Sequence, residues 1–170
     1  NYIKNEWVIF DEETKQHFVQ IEKELGKSFD VGSRTINNKY WIVNSYDDDK
    51  PWVYYLYDTE QKKLEFLFSG SSKLENIPLT KMHPVIIKAR DGLEMVSYLS
   101  IPRWLDDGTA RPSMPLPMVL YVHGGPNVRD NWGYHPIHQW LSNRSCAVLS
   151  VNYRGSSGFG KQHLNKGDGE

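Results

Sequence analysis

The residues of this chain whose types and spacing could do chemistry lie between His123 and Gly160. His123-Gly124-Gly125-Pro126 follows the apolar run Met118 to Val122, so two residues without side chains bring bare backbone amides close to whatever sits above the end of a strand. Further on, Asn152-Tyr153-Arg154-Gly155-Ser156-Ser157-Gly158-Phe159-Gly160 ends a second apolar run. Other chemistries are weaker fits. His135 and His138, with His123 nearby, suggest a metal site, but Pro136 and the lack of a helical Glu between the histidines depart from zinc spacings, and packing or solvated roles are preferred. Gly155, Gly158 and Gly160 invite a phosphate loop, yet their spacing is neither a dinucleotide fingerprint nor a Walker loop, and the residues after them do not read as a helix. Cys146 is the only cysteine. With no activating base identifiable it reads as a small apolar residue near a strand start, and it excludes an internal disulfide without fixing the redox compartment. Arg154 is read as a loop anchor through its five donors. His163 falls in a polar tail and carries no signal.

Positioning these residues requires a strand over 118–122, a polar loop, a short amphipathic helix from Pro136 to Leu141, and a second strand over 147–151. That succession is a βαβ unit with an expected right-handed crossover, and the first strand reads as buried on both faces of a mostly parallel sheet. Upstream, Trp7 to Phe10 could form a strand. Asp11 to Leu25 has helical periodicity, with Phe18, Ile21 and Leu25 on one face and Gly26 at the C-terminal cap. Tyr40–Val43, Trp52–Tyr57 and Leu64–Phe68 are aromatic, β-branched bursts separated by polar turns, which predicts an antiparallel meander of three or four strands. Residues 69–80 read as a linker. Val85–Ile87 and Met95–Ile101 flank Arg90-Asp91-Gly92 as a hairpin, and the proline-rich stretch from Pro102 to Pro117 reads as irregular.

The His-Gly-Gly-Pro motif, paired with Asn-Tyr-Arg-Gly-Ser-x-Gly-Phe-Gly at the end of the next strand, resembles the prolyl oligopeptidase family, nearest to its acylaminoacyl-peptidase-like serine peptidases. The resemblance covers residues 84–170 well and the earlier part loosely. It implies an α/β fold: a partial α/β-hydrolase preceded by an antiparallel β-propeller blade. The expected domains are 1–80, the C-terminal part of a propeller-like domain, and 81–170, the N-terminal part of a hydrolase domain. In that family one backbone N–H of the oxyanion hole comes from the loop after the third strand. By resemblance Gly125 donates it and Gly124 shapes the turn, glycine being required because no side chain can stand between the amide and the developing charge. Where relatives tend to have Gly and an aromatic, this chain has Ser145-Cys146, a difference expected to affect a turn.

No Gly-x-Ser-x-Gly occurs in the chain. The family order puts Ser, Asp and His after the second motif, so the sequence is expected to be an inactive fragment of a longer serine peptidase cleaving short peptides of acylaminoacyl or dipeptidyl type. The alternatives are an esterase or lipase, whose loops more often carry a third glycine where Pro126 stands, and a non-catalytic propeller-type interaction module. No cofactor and no metal is expected. Twenty basic against 21 acidic side chains, a net charge of -1, argue against nucleic acid or an anionic membrane as partner. Self-association, or pairing with the missing remainder of the protein, is expected because the strand 118–122 would otherwise be left with an open edge. The compartment stays unassigned.

Overall fold

The computed structural model describes residues 3–125 and 127–169. Contacts divide them into two units, Ile3–Pro78 and the residues from Leu79 on. No helix among the described residues is long and apolar enough to cross a membrane.

The first unit is one helix on one sheet. Helix α1 (Glu12–Leu25) starts at Asp11, whose carboxylate accepts the Thr14 N–H at 2.7 Å, and ends at Gly26, whose φ of 75° favours glycine. Strands β1 (Phe29–Arg34), β2 (Tyr40–Ser45), β3 (Val53–Asp58) and β4 (Lys63–Ser69) pair antiparallel in sequence order. Phe18 and Ile21 of α1 close onto Phe29, Trp41, Val43 and Tyr57, all buried. Burial of each such side chain contributes about 1.5–3 kcal/mol. His17 belongs to the same contact: it is buried, and its Nδ1 lies 3.1 Å from the Tyr57 hydroxyl. Two expectations change here. Trp7–Phe10 is no strand; Trp7 instead sets its ring edge-on to Phe18 at 5.3 Å while Val8 and Phe10 stay exposed. And β1 is a fourth strand, bulged between Val31 and Ser33, that the aromatic bursts did not locate.

In the second unit β5 (His83–Lys88) and β6 (Glu94–Ser100) form the expected hairpin, followed by β7 (Met118–Tyr121), α2 (Pro136–Ser142), β8 (Ala147–Val151) and α3 (Lys161–Asn165). The sheet order is β5-β6-β8-β7. Only the β7/β8 pair is parallel, while β5/β6 and β6/β8 are antiparallel. The expectation of a mostly parallel sheet is therefore corrected for the described residues: a crossover yields one parallel pair, and the hairpin supplies the rest. Burial of β7 on both faces is corrected too. It is an edge strand with Met118 and Leu120 exposed at 60% and 57%. The helix α3, which the sequence did not suggest, follows Gly160 directly. The irregular stretch after β6 is tied back by His83, whose Nε2–H donates to the buried carboxylate of Asp106 at 2.7 Å.

Candidate active site

Because β7 and β8 run parallel, with Tyr121 opposite Ser150, their C-terminal ends lie side by side and deliver the two motifs to one end of the sheet. There the second motif holds the first. Tyr153 stacks on the His123 ring at 4.5 Å and donates its hydroxyl to the His123 carbonyl at 2.9 Å. The His123 Nδ1–H donates to the Gly124 carbonyl at 2.9 Å. In the neutral ring Nε2 is then an acceptor, and it takes the hydroxyl of Ser156 at 2.9 Å.

A serine 2.9 Å from a histidine looks like a nucleophile with its base. It is not one. Ser156 is fully buried, out of reach of a substrate, and the far nitrogen of His123 meets a carbonyl rather than an orienting carboxylate. The pair fixes a loop.

That loop carries both sequence-predicted site residues. Gly124 is exposed, and a Cβ there would meet open space. Gly125 is exposed as well, with φ +127°. A Cβ on it would stand 2.9 Å from the Asn127 nitrogen and 3.0 Å from a Val128 methyl, so both backbone angle and space call for glycine. Among the described residues the Gly125 amide donates no hydrogen bond, which leaves it free to meet an anion. Pro126 lies outside the described residues.

Beyond Gly125 the anchoring continues. Val128 O accepts the Ser157 N–H at 3.0 Å. The Arg129 guanidinium lies 4.4 Å over the Phe159 ring and donates to the Tyr98 hydroxyl at 3.4 Å. It also rests on Gly158, where a Cβ would come within 2.7 Å of Nη1. Asn152, fully buried, accepts the Asp130 N–H at 2.8 Å and donates to the Asp130 carbonyl at 3.3 Å. One oxygen of the Asp130 carboxylate is buried without a hydrogen-bond partner among the described residues. Burial pushes that carboxyl above its ordinary value, against the pull of His123 and His135. Burial in turn holds His135 below the usual imidazole range, with Asp130 opposing it.

His135 and His138 do not converge on a metal position. Their rings meet edge-on at 5.0 Å, and both pack near Tyr121. Both His138 nitrogens are engaged, Nδ1 at 3.0 Å from Ser100 Oγ and Nε2 at 2.8 Å from Ser150 Oγ. Arg154 acts as the expected anchor: its guanidinium reaches Asp91 at 3.1 Å in the β5–β6 turn, joined by Lys166 at 3.5 Å. The N–H of Leu93 first, then these cations, hold the Asp91 carboxyl below its ordinary value. Cys146 is partly exposed, its thiol turned to the Arg144 carbonyl at 3.7 Å. His163 corrects the sequence reading. It is buried and donates from Nε2 to the Tyr153 carbonyl at 2.9 Å, joining α3 to the second motif.

What sequence reasoning missed is the support. The motif alone gives no reason for the types of Asn152, Tyr153 and Ser156. The available signal was that small polar residues follow a buried strand at once, where they need partners.

No family model matches the chain. The dipeptidyl aminopeptidase BIII of Pseudoxanthomonas mexicana is 43% identical over 100% of this chain and 25% of its own length. Dipeptidyl peptidase family member 6 of Caenorhabditis elegans is 34% identical over 84% of this chain and 21% of its own. Among solved structures, a puromycin-hydrolyzing peptidase of Mycobacterium tuberculosis superposes with a TM-score of 0.60 at 25% identity, over 75% of this chain and 20% of that one. The chain thus spans about a quarter of the length of the first of these relatives.

Proposed function

Because the chain belongs to the prolyl oligopeptidase family of peptidases, we propose that it is part of a serine peptidase that cleaves dipeptides or acylated residues from short peptides by acyl transfer, and that its own part in the reaction is the oxyanion-holding loop. The observation that carries this reading is Gly125: exposed, at φ +127°, its amide uncommitted among the described residues. When the nucleophilic serine of the full-length protein adds to the scissile carbonyl, the oxygen becomes an anion. An amide already fixed in place stabilises it without reorganising. Dipeptidyl release is favoured over acylaminoacyl release by the names of the two curated relatives.

In this reading residues 81–170 open the hydrolase domain and residues 1–80 close a propeller. Four antiparallel strands in sequence order suit a propeller blade. Phe68, exposed at 54% and stacked on Tyr54 at 4.7 Å, suits a face covered by a neighbouring blade. The same aromatic face would serve a non-catalytic interaction module, and finding a serine elbow in the full-length protein separates the two. The open outer edge of β7 supports pairing with the remainder of the protein or with a second copy.

The test is Gly125→Ala in the full-length protein, assayed on dipeptidyl anilides. The added methyl displaces the loop, and kcat is expected to fall on the order of 10²-fold or more, the cost of one oxyanion donor, with KM changed less. A folded variant with wild-type kcat would remove Gly125 from the reaction.

A further inference from the structure

We infer that Asn152 is a positioning residue for the Gly125 amide, an inference that rests on the oxyanion reading above and adds the device that sets it. The backbone of Asn152 is fixed to the middle of the sheet, its N–H donating to Val96 O of β6 at 3.0 Å. From there its carboxamide reaches across to the loop and satisfies both backbone groups of Asp130, accepting at 2.8 Å and donating at 3.3 Å. A side chain thereby does what a neighbouring strand would do for an extended residue, in a loop that has none. Ser157 adds a third tie, to the Val128 carbonyl at 3.0 Å.

Those ties bear on Gly125 because the segment they hold lies close against it. The Cβ position of Gly125 looks onto the nitrogens of Asn127 and Val128 at 2.9 and 3.2 Å, so the glycine is folded back on the segment that Asn152 and Ser157 hold. On its other side His123 is held by Tyr153 and Ser156. The amide therefore sits between two anchorages from one motif. Release of the Asp130 anchorage loosens one end, where the Ser157 tie to Val128 and the Arg129 side chain then remain, while leaving the His123 end intact. A misplacement of about 1 Å in such a group is enough to cost on the order of 10²-fold in rate.

The experiment uses the full-length protein with Asn152→Ala beside Gly125→Ala, reading kcat and KM on a dipeptidyl anilide and the Ki of a dipeptide boronate, whose tetrahedral adduct places an oxygen in the oxyanion position. Asn152→Ala is expected to lower kcat about ten- to a hundredfold and to weaken the boronate in proportion, with KM within about twofold of wild type. A residue that only fills the core would lower the melting temperature and leave kcat and boronate affinity alone; that result overturns the inference. If Gly125→Ala is itself silent, the oxyanion reading falls and this inference with it. If Gly125→Ala is impaired while Asn152→Ala is not, only the inference falls. Should Asn152→Ala fail to fold, hydrogen exchange on the wild-type protein decides: the Asp130 amide, bound to Asn152, must be protected well beyond that of Asn127, and equal exchange at the two overturns the clamp.

Discussion

His138 makes the stability of the second unit sensitive to acid. The ring is 1% exposed, with a serine hydroxyl within 3.0 Å of each nitrogen. Burial first, and the neighbouring His135 second, bring its pKa from 6.5 down to about 4. In the unfolded chain the imidazole returns to about 6.5. Above that pH both states are neutral and the residue contributes no pH dependence. Between the two values the unfolded chain takes a proton that the native site refuses, so stability falls as the pH falls. Below about 4 the native ring is protonated as well and the loss has saturated. At about 1.36 kcal/mol for each pH unit, the interval amounts to about 3 kcal/mol, a large share of the 5–15 kcal/mol typical of a domain. Urea unfolding at pH 7, 6, 5 and 4 measures it, and histidine NMR titration assigns it. In His138→Gln this part of the acid slope is expected to vanish, although the variant starts from a lower stability because Ser100 and Ser150 lose their shared partner. A His138 resonance titrating near 6.5, or an unchanged slope in the variant, refutes the reasoning.

Three other outcomes are expected. Ser145 sits at φ +63° between α2 and β8, so Ser145→Gly relieves a left-handed serine and raises stability by about 0.5–1 kcal/mol, read by chemical denaturation. Burial raises the Asp130 carboxyl, so native stability falls as the pH rises from the unfolded value to the folded one and the loss is complete above it; Asp130→Asn is expected to raise the melting temperature at pH 7 and change it little at pH 4. The 170-residue chain by itself is expected to associate through β7, and Leu120→Lys, at a position 57% exposed, to shift it toward monomer in light scattering with little change in melting temperature.

How much of this was legible in the sequence depended on whether local pattern and tertiary role coincided. Helix α1 was plain because Asp11, the spacing of Phe18, Ile21 and Leu25, and Gly26 all point the same way. Strand β1 was not, since Asp30, Gly32 and Ser33 have low strand propensity and owe their conformation to pairing with β2. Trp7–Phe10 has the composition of a strand, yet its aromatic ring packs on α1 and no strand of the described residues pairs with it. An apolar run records hydrophobicity and not what covers it, which is why β7 read as buried on both faces while Met118 and Leu120 are exposed; its parallel pairing with β8 and its open outer edge are as expected. At the candidate site the glycines were legible because their backbone demand is local. The roles of Asn152, Ser156 and His163 were not, because each is defined by a partner distant in sequence.

The strand order carries a consequence for the making of the protein. β6 and β7 both pair with β8 and not with each other, so the central strand of the three is the last to be synthesised. From the completion of β7 at Tyr121 to that of β8 at Val151, translation at 5–20 residues per second takes roughly two to six seconds. Throughout that window the nascent chain holds an apolar segment, Met118 to Val122, for which no partner strand yet exists. Cellular factors that bind short extended hydrophobic peptides would find their site there. A pause in translation between the codons for Val122 and Ala147 would lengthen the exposure without altering a residue of the finished protein.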